Sequence, residues 1–288
     1  MILSTQQKGD LNVYATSFLW ALFPIITVLS YSTLDPLPSL AFSTLFAAAF
    51  FAVMVTIRGR WSELANFSAL ISIAYVVLFI GVGYYSFTFM ALKYTTAGNV
   101  SLVGLLEIFF SYLFFTIWKK ERFSLRHVFG SLLMIIGTAI VLLPNVTNIN
   151  LGDLFVVISV MCAPIGNYFQ QKARLLVSSE TIMLVRSLLT VPIVFLISVL
   201  LGQHFLLSQV RGSVLFLLIN GVLLLGFSKV LWIESIHRIS VTRANALSSI
   251  SPVLTLFFAY ILLGQVPTIF QLTSIVPLIA GLLLLTRT

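Results

Sequence analysis

Apolar runs of about 20 residues, each closed by a short cluster of Gly, Pro, Asn or charged residues, recur from one end of this sequence to the other. A run of that length, coiled as a helix, crosses a hydrocarbon layer roughly 30 Å thick. It also satisfies its own backbone hydrogen bonds, which lipid cannot do. The runs lie near residues 12–31, 37–57, 67–91, 96–118 and 125–143, and again near 152–172, 180–201, 213–235, 241–263 and 268–286. The polar stretches between them are too short to form a water-facing domain. Residues 1–12 are polar, and the run after them is longer than a signal-peptide core and lacks a small-residue cleavage site, so an uncleaved first span is expected. Only 8% of the residues are charged and the mean hydropathy is +1.10, whereas a soluble surface needs about 25% charged residues.

These features exclude several classes of function. The net charge of +8 comes with no basic block and no aromatic-interleaved basic stripe, so nucleic acid is not an expected partner. Cys162 is the only cysteine, which rules out an intrachain disulfide and a cysteine-rich metal site. No HExxH motif, P-loop or pair of intramembrane aspartates is present, and His127, His204 and His237 fall in loops or at span ends. An enzyme is therefore not expected, nor is direct drive by ATP. No cofactor is implied, and proton coupling is the energy source left open.

The surplus of positive charge has a membrane explanation. With the N-terminus in the cytoplasm, the cytoplasmic ends and loops hold Lys8, Arg58, Arg60, Lys119, Lys120, Arg122, Arg126, Lys172, Arg174, Arg238, Arg243 and Arg287. The outer side holds only Lys93 and Arg211. This bias runs through every cytoplasmic loop, so orientation and span count support one another. Both termini are expected in the cytoplasm, and the location expected is the inner (plasma) membrane.

Self-comparison at an offset of 144 residues, half of 288, divides the chain. Ala91-Leu92-Lys93-Tyr94-Thr95-Thr96-Ala97 falls on Ser235-Ile236-His237-Arg238-Ile239-Ser240-Val241, Glu121 on Gln265 and Gly137 on Gly281. An offset of 143 pairs Gly83 with Gly226, Phe89 with Trp232 and Ser43 with Arg186. Five spans per half is an odd number, so the second half enters the membrane in the opposite sense. The expected fold is an all-α integral membrane protein of ten transmembrane helices, built as two inverted five-helix repeats over residues 1–144 and 145–288. Such inverted repeats commonly hold a transport site near the bilayer midplane.

The residues also resemble a known family. The string Ala91 to Gly98, then Lys120-Glu121-Arg122, Gly130 and the run from Ile135 to Leu143 around Gly137 are similar to EamA-type members of the drug/metabolite transporter superfamily. Gly152-Asp153-Leu154, Ser251-Pro252-Val253 and Gly264-Gln265 continue the likeness in the second half. Two departures stand out. Glu107-Ile108 occupies the place of the family's proline, and Ser43 that of an arginine which Arg186 keeps in the second copy. The resemblance implies a ten-span metabolite transporter with a cavity lined by spans one to four and six to nine.

Ionisable groups within spans are costly and mark candidate sites. Glu107 lies near the middle of the fourth span, Lys229 in the eighth and Arg186 in the seventh. Each also has a plain reading, as a structural ion pair or a side chain snorkelling to the interface. Glu234, four residues before Arg238, reads as an interfacial helix pair. Pro24 in the first span, and Pro164 with Gly166 in the sixth, are expected to break their helices at nearly equivalent points, freeing carbonyls beside Trp20, Asn167 and Tyr168. Tyr84, Tyr85, Phe89 and Trp232 could box a planar or cationic solute, or serve as packing residues. Gly130 with Gly137, and Ser274 with Gly281, favour close helix contact within a bundle or a dimer.

The function expected is secondary transport, with export as the direction, of a small polar or zwitterionic metabolite such as an amino acid by alternating access. The alternatives are a flippase for a lipid-linked or amphiphilic substrate and a non-transporting membrane subunit. The expected partners are a small-molecule substrate and the lipid bilayer, in a monomer or homodimer. Single cysteines introduced at 119–126 should be shielded from an impermeant thiol reagent added outside the cell. Labelling from outside would overturn the topology.

Overall fold

The computed structural model describes residues 4–119, 125–145, 150–236, 238–239 and 241–286. The Lys120-Glu121-Arg122 string, His237, Ser240 and Arg287 lie outside the described residues. Eight described helices are long and apolar enough to cross a membrane: α1 (Thr5–Ser30), α2 (Pro36–Ile57), α3 (Phe67–Tyr94), α4 (Ala97–Phe114), α5 (Leu125–Leu142), α6 (Leu151–Arg174), α7 (Ser179–Leu200) and α8 (Leu207–Ser235). Shorter helices follow as α9 (Val241–Ser248), α10 (Ser251–Leu263) and α11 (Ile269–Leu285). There is no strand among the described residues.

Local chemistry sets most helix starts. α1 begins before the apolar run because Ser4 and Gln7 form a capping box: Gln7 N donates to Ser4 Oγ at 3.1 Å, and Ser4 N to Gln7 Oε1 at 2.9 Å. Asn66 accepts from Ala69 N at the start of α3, and Thr96 from Asn99 N at the start of α4. Thr268 and Gln271 form a second capping box before α11. Gly59 and Gly202, 143 residues apart, both take left-handed backbone (φ 63° and 71°) just past α2 and α7, a conformation that penalises any Cβ.

The chain forms two compact units, and they are not its sequence halves. The first comprises Met1–Ile25, Tyr94–Val157 and Phe227–Thr288, and the second Ile26–Lys93 and Ile158–Gly226. In the first unit α5 packs on α11, its counterpart in the other half. A Cβ on Gly281 would lie 2.6 Å from Gly130 O, and one on Gly137 would lie 2.6 Å from Leu278 Cγ, so the backbones meet through glycine. The small residues noted in the sequence thus serve contact within the chain.

In the second unit α2 packs antiparallel to its counterpart α7. Arg58, just past α2, pairs with Glu180 in the first turn of α7, and Leu37 N donates to Gln203 Oε1 at 3.0 Å at the other end. Ile73, Val77, Ile182 and Val185 close a core between α3 and α7. Glu63, in the loop after α2, accepts from Ser178 N at 2.7 Å and Thr181 Oγ1 at 2.8 Å, so it caps α7 from outside the helix. Partial burial pushes the Glu63 carboxyl up, but the hydrogen bonds from Ser178 and Thr181 and the charge of Arg60 outweigh it and hold the group below its ordinary range.

Within α3 the backbone widens to a π-helix over Val77–Tyr84, and within α8 over Ile219–Phe227. An offset of 143 superposes the two stretches. Each holds two glycines, and a Cβ on Gly81 would collide with Thr190, or on Gly221 with Ser43 and Phe46. π-helical turns are rare and concentrate at functional sites.

Two outcomes are expected. Gly281→Val should overpack the α5–α11 contact and cost about 1–3 kcal/mol, read as a lower thermal midpoint in detergent. A carboxyl held low by its folded contacts stabilises the fold fully above its unfolded pKa and loses that contribution as pH falls through the lower folded value. Wild type should therefore lose thermal stability between roughly pH 5 and pH 3 more steeply than Glu63→Gln.

Candidate functional site

Two helices of the first unit are interrupted at equivalent places. α4 loses its regular hydrogen bonding at Leu105, between Ala97–Gly104 and Leu106–Lys119. Tighter bonds bridge the gap, from Leu105 N to Leu102 O (3.2 Å) and Ile108 N to Leu105 O (3.1 Å). The span expected at 241–263 is likewise two helices, α9 and α10, with the break at Ser249 and Ile250. Leu105 plus 144 is Ser249. Pro252 opens α10, where a missing N–H costs nothing. The first half breaks at the same place without a proline, and a Cβ on Gly104 would meet no atom within 4 Å.

Polar and charged side chains gather near these breaks. Glu107 sits half-buried in the first turn after the α4 break, where the positive end of the following helix favours a carboxylate. Thr255 on α10 donates to Ala21 O of α1 at 3.1 Å, Ser251 donates to Ser17 O at 3.2 Å, and Ser101 lies 3.1 Å from the Thr255 hydroxyl. Lys229 on α8 places its ammonium 3.9 Å from the centre of the Trp20 ring on α1, a cation–π contact inside a span.

The second unit holds the other candidates. Arg186 is buried, 4% exposed, with its guanidinium 5.7 Å from the centre of the Tyr85 ring. Tyr84 packs edge-on to Tyr85 at 5.1 Å. Among the described residues no carboxylate pairs with Arg186. Tyr168 takes the Lys172 ammonium over its ring at 4.8 Å, and Asn167 is half-buried one position before it. The buried hydroxyls of Ser43, Ser187 and Thr190, and Asn220 Oδ1, have no hydrogen-bond partner among the described residues.

The structure therefore brings Trp20 to Lys229, and Tyr84 and Tyr85 to Arg186. It corrects three expectations. α1 runs unbroken through Pro24 and α6 through Pro164, because packing retains a helix that has lost one backbone bond. Gly166 answers to close packing instead, since a Cβ there would strike Ile80. Trp232 packs against the cluster of Val13, Ile239 and Ala244, and Phe89 is fully buried beneath Tyr31, the packing role that the sequence reading left open beside a solute box. Glu234 does pair with Arg238, at 2.9 Å.

Sequence reasoning missed the breaks in α4 and α9–α10, although Gly104 and Pro252 were their visible signals. It also passed over the structural work of the string Ala91 to Gly98. Lys93 pairs with Asp35 at 2.8 Å and Tyr94 O accepts from Asn150. Thr95 donates to Asp153 at 2.6 Å, Ala97 N donates to Gln265 Oε1, and Gly98 makes room for Leu256 and Gln271. These residues tie together the ends of helices.

The sequence profile of the EamA-like transporter family matches residues 7–143 and, a second time, residues 150–287. The chain belongs to the EamA-like transporter family. Among the described residues, each matched segment of this EamA-like chain carries a π-helical stretch and a helix break. An uncharacterized transporter of Synechocystis sp. is 25% identical over 209 residues, covering 68% of this chain and 59% of the relative. The match thus spans less than two thirds of that relative's length. A crystal structure 19% identical in sequence superposes with a TM-score of 0.70 over 96% of this chain and 95% of its own, which establishes the shared fold. The helices and the family together make this a multi-pass membrane protein.

Proposed function

We propose that this EamA-like protein is a secondary carrier that exports a small polar or zwitterionic metabolite, such as an amino acid, by alternating access. In this reading it has ten spans in two inverted repeats, both termini in the cytoplasm, and works in the inner (plasma) membrane as a monomer or homodimer. The observation that carries the reading is the pair of helix breaks at Leu105 and Ser249. Discontinuous helices at corresponding points of two repeats are the usual frame of a solute site, because they expose backbone groups inside the membrane.

The side chains around the candidate site suit that chemistry. Trp20 and Lys229 offer a ring and a cation to a solute carboxylate, and Glu107 offers a carboxylate to an ammonium group or a proton. Arg186 on Tyr85, with the unsatisfied hydroxyls of Ser43, Ser187 and Thr190, gives the second unit a polar interior that a packed scaffold would not need. Glu107 is the residue assigned to proton coupling or recognition.

A thermal-shift panel of amino acids, amines and nucleotide sugars on the purified protein identifies a solute by mass action. In proteoliposomes, Glu107→Gln should then lower the flux of that solute by about tenfold or flatten its pH dependence. Wild-type flux at every pH would remove Glu107 from the mechanism.

A further inference from the structure

One membrane end of the second unit is closed by two loops that are joined to each other. The segment between α2 and α3 carries a 3-10 turn at Trp61–Ala65, and a short connection at 175–178 links α6 to α7. Asn66 Nδ2 donates to Leu176 O at 3.4 Å across the two loops, and Leu64 packs against the cluster that holds Ala173 and Val177.

Charge is sorted by depth on this platform. Its two carboxylates are turned inward, the Glu180 side chain 9% exposed and that of Glu63 18%. Both stand at the amino end of α7, Glu180 in the first turn and Glu63 as the cap, where the positive end of the helix helps to balance them. The arginines that pair with them face outward, with side chains 43% exposed at Arg58 and 54% at Arg60. Lys172 and Arg174, in the last turn of α6, are exposed, and among the described residues neither pairs with a carboxylate. Large apolar side chains stand out beside these cations, namely Ile57, Trp61, Phe67 and Leu175.

Water suits the cations but not the apolar side chains, and hydrocarbon suits the reverse. A headgroup layer with acyl chains below it suits both. Four outward cations over two inward carboxylates leave the outer face positive, which selects a negatively charged headgroup over a zwitterionic one. A soluble phosphate or an acidic peptide would meet the cations and leave the apolar side chains uncovered. We infer that this platform is a docking site for an anionic phospholipid, its phosphate on Lys172 and Arg174 and its acyl chains along Ile57, Phe67 and Leu175.

The full chain in mixed micelles of equimolar phosphatidylglycerol and phosphatidylcholine, with matched acyl chains, is read by native mass spectrometry for the lipid it retains. Wild type should retain phosphatidylglycerol over phosphatidylcholine by about fivefold or more, and Lys172→Gln with Arg174→Gln should bring that ratio below about twofold. The charge-keeping exchange Lys172→Arg with Arg174→Lys should hold the wild-type ratio, which separates loss of charge from loss of fold. Lys8→Gln with Arg126→Gln, an equal loss of exposed charge from the first unit, should also leave the ratio as in wild type. Neither glycerol phosphate nor polyglutamate in about tenfold excess should displace the lipid. A wild-type ratio near one, an equal fall in the first-unit pair, a fall in the charge-keeping exchange, or displacement by either soluble anion would overturn the inference. Retained lipid is measured without flux, so this result and the carrier reading stand or fall separately.

Discussion

Hydrocarbon offers no partner to a backbone N–H or C=O, and this constraint governs everything else in the chain. It forces the apolar runs into helices, and it makes every departure from regular helix costly enough to need a reason. Among the described residues of the long helices, the departures come in pairs. α3 and α8 widen to π-helix at equivalent positions, and α4 and the α9–α10 span break at equivalent positions. Departures repeated in both halves are not accidents of local sequence. They mark where the fold gives up backbone satisfaction, and the polar and charged side chains gather beside the breaks.

Close approach is the second theme. Where helices meet, glycine or a small polar residue removes the side-chain layer, as at Gly130 and Gly281, Gly137 and Leu278, Gly166 and Ile80, and Gly221 and Ser43. In lipid there is no hydrophobic drive to press helices together, so dispersion between tightly fitted surfaces and hydrogen bonds between them must hold the bundle. The bonds from Thr255 to Ala21 O and from Asn220 to Thr27 are of this kind.

Span positions were legible because a hydrophobic run and a boundary cluster are both local signals. The ends of α2, α5, α7 and α11 fall within a residue or two of where composition places them. α1 was misjudged at its start, because a polar capping box extends the helix into residues that composition alone assigns to a tail. Pro24 and Pro164 were misjudged because a proline's effect depends on whether packing holds the helix on both sides, which is not a local property. The pairing of Lys229 with Trp20 and of Arg186 with Tyr85 joins positions far apart in the chain. The cation types drew attention to these sites, but spacing could not have supplied their partners.

The pairing of each helix with its own counterpart has a consequence for how the protein is made. α2 is covered by α7 and α5 by α11, contacts that span about half the chain. When the first five spans have left the ribosome, the glycine face of α5 and the small-residue face of α2 have nothing to close on. The newly inserted half must wait in the bilayer with those faces against lipid until the second half arrives.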